Sequence, residues 1–533
     1  MKLSYNALNS KEWQEKGYQL PQFNISDVVS NTKQQPVWLH LGAGNIFRAF
    51  LANLQQRLLN QGDAQQGIIV AEGFDYEIIE KAYQPFDNLS VFAKLKNDHS
   101  VDKIVVASIV ESLRMDPAFT QDFNRLKAIF LSPSLQMVSL TITEKGYLIK
   151  GLDGKYYPAV KADFEQGPAK PQSYIGKIVS LLHERFVAGA LPLAVVSMDN
   201  MSKNGEKLQK VILEFAEQWK KCGHLSQDFL DYLNSDKISF PWSMIDKITP
   251  RPDAEVQQQL QNDGIENLAP VVTSKNTYVA PFVNAEELEY LAVEDNFPNG
   301  RPKLEKVGVI FADRDTVNKI ETMKVTTCLN PLHTGLAIFG CLLGFTKIST
   351  EVQDADLLAL IRKLGYQEGL PVVTDPKLIN PKQFLDEVIN IRFSNDFIPD
   401  TPQRIATDTS QKLAIRFGET IKSYVKAGKS TDSLVAIPLI FAGWLRYLLG
   451  VNDEGQPFEN SPDPRLAELK AKLANITLGS VVSSATLKPI LSDKSIFGVD
   501  LYEVGLAGRV EQYFNELLVG VGAVRTSLHK YVN

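Results

Sequence analysis

The chain has 533 residues, 44% apolar and 22% charged, with 56 basic and 62 acidic side chains for a net charge of −6. At ~100–200 residues per domain that is two to four folding units, and a near-balanced charge with no basic block argues against nucleic acid as a partner. Three cysteines (Cys222, Cys328, Cys341) cannot make a disulfide framework and the first twenty residues hold no apolar signal segment, so a soluble, cytoplasmic, globular protein is expected.

Along the first half, short β-branched runs alternate with helical patterns, which predicts an α/β layer architecture. Strands are expected at 37–41, 68–71, 105–110, 137–142, 193–197 and 307–311. Several are apolar without alternation, as in parallel strands covered on both faces. Between the first two, Ile46, Phe50, Leu51, Leu54, Leu58 and Leu59 recur at helical spacing and complete a β-α-β unit. Asn97-Asp98-His99-Ser100 separates two alternating runs and predicts a hairpin.

Helical patterns then dominate, at 315–323, 334–345, 355–364, 402–425, 434–449, 465–474 and 501–519. The boundary is placed at 312/313, giving an α/β domain over 1–312 and a mostly helical domain over 313–533. The longest apolar stretch, 434–445, contains Pro438 and Gly443 and stops at Arg446. It is too short to span a bilayer and is expected as a buried helix, so no membrane is implied.

Five segments carry candidate chemistry. His40-Leu41-Gly42-Ala43-Gly44-Asn45-Ile46-Phe47-Arg48 follows a strand and opens a helix. Glycines at such a turn admit a pyrophosphate to backbone N–H groups, and the helix N-terminus adds roughly half a positive charge. Phe47 replaces the third glycine of the usual fingerprint. Glu72, after the second strand, could accept hydrogen bonds from a ribose and repel a 2′-phosphate, which favours NAD over NADP; Asp75 is a rival for that role. Thr143-Glu144-Lys145-Gly146-Tyr147 ends another strand, either at a ligand site or as a surface turn. Asp199-Asn200 with Asn204-Gly205 ends a third, as oxyanion donors or as an Asx turn. Asp246 lies between two prolines in a segment uninformative by itself.

The fifth segment concentrates Glu321, Lys324, Asn330 and His333 within thirteen residues. A lysine whose pKa is pushed towards neutrality can act as a general base. Its neutral amine would take a hydroxyl proton as hydride leaves the carbon, with Asn200 and Asn330 holding the oxyanion and His333 bonding the substrate. No zinc ligand set is evident among scattered histidines and cysteines. Tyr157 and Lys161 have short-chain reductase spacing, but Pro158 argues against the helix that scheme needs. Thr401-Pro402 predicts a capped helix through Arg404 and Lys412, which would place the two cations ~80° apart and ~12 Å along its axis. They either reach a polyol or carboxylate or are solvated charges.

Together these segments, over about residues 36 to 420, resemble the polyol-specific long-chain dehydrogenase/reductase (mannitol dehydrogenase) family. The resemblance is carried by Gly42-x-Gly44-x-x-x-Arg48, by Thr143-Glu144-Lys145-Gly146-Tyr147 and by Asp199-Asn200 with Asn204-Gly205. Asp246 in Met-x-Asp-x-Ile-x-Pro and the Arg404/Lys412 spacing complete it. It implies a Rossmann-type N-terminal domain, a helical C-terminal domain and metal-independent, NAD-linked hydride transfer on a small sugar acid or polyol. Lys324 would be the acid/base, Asn200 and Asn330 the oxyanion donors, and Glu321 an aid to proton exit. His333, Asp246, Arg404 and Lys412 would bind the sugar chain, and Gly42, Gly44, Asn45, Phe47, Arg48, Glu72 and Glu144 the cofactor. Within the family, fructuronate reduced to mannonate is the leading expectation, with tagaturonate or fructose as alternatives and a non-catalytic nucleotide sensor as another class. The family signature is Lys-x4-Asn-x2-His, whereas five residues separate Lys324 from Asn330 here. A π-bulge would absorb the additional residue.

Overall fold

Six parallel strands organise the first half of the chain: Trp38–Leu41 (β1), Ile68–Glu72 (β2), Ile109–Arg114 (β3), Met137–Leu140 (β4), Leu193–Ser197 (β5) and Ile238–Ser239 (β6). In the computed structural model, which describes residues 1–151 and 153–533, they pair in the order β3-β2-β1-β4-β5-β6. That is the Rossmann order, which reverses between β1 and β4 and leaves a crevice at their carboxyl ends.

The strands read as continuous apolar runs because alternate residues feed two cores. Leu39, Leu41, Ile69, Ala71, Val138, Leu140 and Val195 pack with the helices Thr120–Leu131, Tyr174–Val187 and Asn204–Lys221. Trp38, Ile68, Val70, Met137, Ala194 and Val196 pack under the helix Ala52–Asn60. Each Val, Leu, Ile or Met among them contributes roughly 1.5–3 kcal/mol by leaving water.

The chain divides into two units, Met1–Asn318 and Lys319–Asn533, the division falling inside the helix Arg314–Met323. The hairpin at 97–100 forms between antiparallel Ser90–Leu95 and Val101–Val106. The strand expected at 105–110 is instead two strands in different sheets, Val101–Val106 and β3. At the crossover Ala107 N–H donates to Gln56 Oε1 (2.9 Å) and the Ser108 hydroxyl to Ala52 O (2.6 Å), which anchors the turn between the two sheets on the helix Ala52–Asn60. The strand expected at 307–311 is a 3₁₀ turn, Leu304–Val307, followed by Ile310–Ala312, which joins Ser243–Asp246 and Tyr290–Glu294 in a three-stranded sheet. Pro158 does not interrupt a helix: it opens one, Pro158–Gln166, because the first turn lacks an N–H acceptor anyway.

The second unit is helical. Asn330–Leu342 and Ala436–Leu448 are buried almost all round and form its centre. At Gly443 a Cβ would meet Phe339 Cζ at 2.8 Å, so glycine permits their close approach. Among the described residues one helix, Arg314–Leu342, is long and apolar enough to cross a membrane, and 83% of its apolar window is buried inside the fold. The helix expected over 402–425 is broken. Pro402–Ile405 ends, Asp408 takes φ +55° with its N–H on Pro462 O (2.8 Å), and Thr409–Leu413 restarts. Asp463 holds that restart by accepting from Ser410 N (2.7 Å) and Ser410 Oγ (2.6 Å). A π turn, Ala414–Gly418, precedes Glu419–Lys426. The last expected helix, 501–519, is shortened to Ala507–Leu517 because Gly505 takes φ +78° before it.

Candidate active site

In the first unit, a cavity of about 440 Å³ opens at the carboxyl ends of β1, β2 and β4, lined by Gly42, Gly44, Glu72, Asp75, Thr141 and Tyr174 among others. Gly42 sits at φ +107°, and a Cβ there would collide with Thr141 O, so this turn requires glycine. At Gly44 the same test finds open space facing the cavity. The helix begins immediately, and from Phe47 to Leu51 it is a π-helix.

Glu72 holds this turn in place. One carboxylate oxygen accepts from Ala43 N (2.9 Å), the other from Phe74 N (2.9 Å) and Asp75 N (3.2 Å). Burial raises its pKa, while those N–H groups oppose the rise. Asp75 accepts from the Thr273 hydroxyl (2.6 Å). Beneath the turn, His40 bridges Ser139 Oγ (2.7 Å) and Thr141 Oγ1 (2.8 Å) and stacks on Phe47 at 4.3 Å. Burial pushes His40 down to about 3, so it is neutral and ties β1 to β4.

The other expected cofactor residues stand outside the cavity lining. Asn45 accepts from Arg48 Nη2 (2.9 Å) and donates to Pro250 O (3.3 Å). Arg48 is fully buried, donates to Ala280 O (2.6 Å) and lies over the Tyr83 ring, so it supports the turn from behind. Phe47 is buried against His40. Glu144 lies on a short helix, Thr143–Gly146, rather than a strand end; it is exposed and 3.8 Å from Lys207.

Asp199 is a clamp. It accepts from Ile142 N (3.0 Å), Thr143 N (2.8 Å) and Tyr147 Oη (2.6 Å), which holds Thr143 at φ +61° on the cavity wall. Asn204 accepts from Ser243 N (2.9 Å) and donates to Asp199 O (3.0 Å), joining β5's end to the strand that carries Asp246. Asp246 is buried and Asn200 exposed.

In the second unit, Lys324–Cys328 form a π turn leading to the helix Asn330–Leu342. Lys324 is only 2% exposed, and Glu321 precedes it by one helical turn. His333 Nε2 lies 2.7 Å from Asp400 Oδ2, with its ring 5.1 Å from that of Phe393. Burial works to raise the Asp400 carboxyl, but His333 and Arg404 outweigh it and hold it low. Arg404 pairs with Asp400. Lys412 donates to Thr407 O and to Ile405 O (3.3 Å). Because Asp408 breaks the helix, Arg404 and Lys412 do not share one axis, and the 80° relationship expected between them does not apply.

Sequence reasoning missed three residues here. Tyr174 lines the cavity, and its hydroxyl is buried without a hydrogen-bond partner among the described residues. The sequence marks His40 only as the first residue of the glycine-turn motif. Arg416 donates to Thr334 Oγ1, beside His333. All three are separated in sequence from what they touch, and no local pattern marks them. Among the described residues no cluster of His, Cys, Asp or Glu could hold a metal ion.

Both units have known relatives. The Mannitol dehydrogenase Rossmann domain matches residues 37–306 and the Mannitol dehydrogenase C-terminal domain residues 316–518. The chain is 50% identical to a D-mannonate oxidoreductase of Thermotoga maritima over 100% of this chain and 99% of that one. It is 31% identical to a mannitol 2-dehydrogenase of Phaeosphaeria nodorum, over 87% and 76% respectively. Among solved structures, it is similar to Pseudomonas fluorescens mannitol 2-dehydrogenase in ternary complex with NAD and D-mannitol. That match has TM-score 0.70 and 26% identity, covering 99% of each chain. A D-sorbitol dehydrogenase in substrate-free form matches with TM-score 0.79 and 26% identity, over 95% of this chain and 97% of that one. By both of its domains and along its whole length, the chain belongs to the mannitol dehydrogenase family.

Proposed function

We propose that the protein is an NAD-dependent oxidoreductase interconverting a linear keto-sugar acid and its hydroxy acid, with fructuronate and mannonate as the preferred pair. Full-length identity of 50% to a D-mannonate oxidoreductase is the observation that carries the substrate assignment. The residues present fit the dinucleotide. Gly44 faces the cavity with open space, Gly42 lets the chain turn beside Thr141, and a helix N-terminus follows. Gly42, Gly44 and Glu72 would hold it, with Asn45, Phe47 and Arg48 fixing the turn and Glu144 at its rim. When bound, NAD supplies the hydride acceptor and NADH the donor at the nicotinamide ring.

The remaining chemistry belongs to side chains. During reduction the Lys324 ammonium gives its proton to the carbonyl oxygen as hydride reaches the carbon; during oxidation the neutral amine takes the hydroxyl proton. Asn200 and Asn330 donate to the oxygen while it carries negative charge. Glu321, one turn away, passes the proton between Lys324 and water. His333, Asp246, Arg404 and Lys412 bind the hydroxyl and carboxylate groups of the chain. The 2% exposure of Lys324 supports this assignment, since it keeps the amine out of bulk water. The boundary of the two functional regions is taken as 312/313. The same reading places the protein in the cytoplasm with a small sugar acid as its partner, without nucleic acid or membrane, in keeping with three free cysteines and the net charge of −6.

Loss of NADH absorbance with fructuronate, tagaturonate and fructose in turn tests the reading. Fructuronate should be reduced with the highest kcat/KM, and Lys324→Ala should lower turnover by ~100-fold or more. NADH binding without turnover on any of the three would replace the enzyme reading with that of a nucleotide sensor.

A further inference from the structure

Three cations cluster around the start of the helix Asn330–Leu342 in the second unit, and they are not equivalent. Arg404 is neutralised by Asp400. Lys412 donates only to the backbone carbonyls of Ile405 and Thr407. Arg416 donates one N–H to Thr334 Oγ1. Among the described residues neither Lys412 nor Arg416 forms an ion pair. Lys412 ends the helix Thr409–Leu413, and Arg416, four residues on, lies within the π turn Ala414–Gly418; the two repel one another, Arg416 being the strongest charge acting on Lys412.

A partly buried guanidinium with no carboxylate is costly to keep. Burial alone lowers Arg416, to about 10, with nothing offsetting it. The place it occupies is informative: Thr334, which accepts from Arg416, donates in turn to Asn330 O at 2.9 Å and directly follows His333. Arg416 is thereby coupled to the segment that carries two of the proposed substrate-contacting side chains. A neutral polyol gives such a charge no partner. A planar carboxylate at the far end of the sugar from the keto carbon does, and arginine's forked donors match it in two parallel hydrogen bonds.

We propose that Arg416, together with Lys412, takes the carboxylate of the sugar acid, making Arg416 the residue that separates keto-sugar acids from neutral ketoses. This rests on the substrate class proposed above and adds the group that selects it.

The test compares Arg416→Gln and Arg416→Lys with wild type on fructuronate and on fructose, the neutral ketose of the same chain length. In Arg416→Gln, kcat/KM for fructuronate should fall ~100-fold and that for fructose by a far smaller factor, with Arg416→Lys intermediate. A turnover-independent readout is the rise in melting temperature given by mannonate against mannitol in the presence of NAD. The mannonate rise should shrink in both variants relative to the mannitol rise. If Arg416→Gln does not fold, Arg416→Lys alone must still narrow the preference for fructuronate. Equal losses on both substrates, or an unchanged preference, would overturn the proposal. Failure of the underlying substrate assignment has a different signature: wild-type protein that reduces fructose but neither sugar acid.

Discussion

The carbonyl oxygen of Lys324 accepts a hydrogen bond from the N–H of Leu329, five residues on, at 3.1 Å. This is a π-type bond, and it explains how a chain with five residues between Lys324 and Asn330 keeps the helix going. In a regular α-helix one additional residue would swing Asn330 by ~100° about the axis. Val325, partly exposed, is the residue whose removal disturbs packing least. Deleting it should turn the segment into continuous α-helix, with turnover within ~10-fold of wild type. Deleting the fully buried Leu336 should leave no folded protein. Circular dichroism melts and NADH oxidation read both outcomes. A loss in the Val325 deletion as large as in Lys324→Ala would show that the π turn itself positions the amine.

Asp199 offers a second test, on the cofactor side. Its carboxylate satisfies two backbone N–H groups and the Tyr147 hydroxyl. Asp199→Ala removes the acceptor of two partly buried N–H groups and leaves the Tyr147 hydroxyl only Ser197 Oγ (2.7 Å), which costs about 1–3 kcal/mol. Thr143 then loses the partner that holds it at positive φ on the cavity wall. Urea unfolding should register the lost stability, and an NADH fluorescence titration should show affinity weakened by ~10-fold or more. Unchanged NADH affinity in a destabilised variant would confine Asp199 to a purely architectural part.

Glu351 sets up a stability dependence on pH. Both of its oxygens are buried without hydrogen-bond partners among the described residues, in a space that Gly340 leaves open. Burial, and then the charges of Asp400 and Asp354, raise its pKa well above the ordinary 4.5. The folded state therefore holds this proton after the unfolded chain has released it. Stability on this account is greatest below the unfolded pKa and falls as pH rises from about 4.5 to the folded value. Glu351→Gln keeps the shape and removes the titration. Its melting temperature should exceed wild type's at pH 8 by more than at pH 5; a constant gap would mean that Glu351 is already ionised in the folded protein.

Lys412 makes substrate binding depend on pH in the alkaline range. Burial, then Arg416, lower its ammonium to about 8. It is charged below that value and loses its charge above it. The kcat/KM for a sugar acid, which reports the free enzyme, should therefore decline above pH ~8, and that for fructose should decline less. In Lys412→Gln the two profiles should run parallel over the same range. Parallel profiles in the wild type would remove Lys412 from recognition of the acid.

Local patterns in the chain were enough to read much of the first unit. The runs that became β1, β2, β4 and β5 stand out because strands covered on both faces must be apolar throughout, and the Gly42/Gly44 turn because it needs glycine whatever surrounds it. Capping at Thr401 was equally readable, since its hydroxyl and Pro402 act on adjacent backbone: Thr401 Oγ1 accepts from Arg404 N. The segment 105–110 misled because an apolar run carries no mark of passing from one sheet to another.

The remaining features rest on neighbours remote along the chain. Asp408 ends a helix whose periodicity continues unbroken, because Pro462 O accepts from its N–H and Asp463 from Ser410, both more than fifty residues later. Arg48 fits the cofactor motif yet turns away into Ala280 O and Tyr83. Periodicity and turn chemistry report how a residue treats its own backbone. Which side chains end up without a counter-charge, as Arg416 does, is settled only when distant segments pack and exclude water.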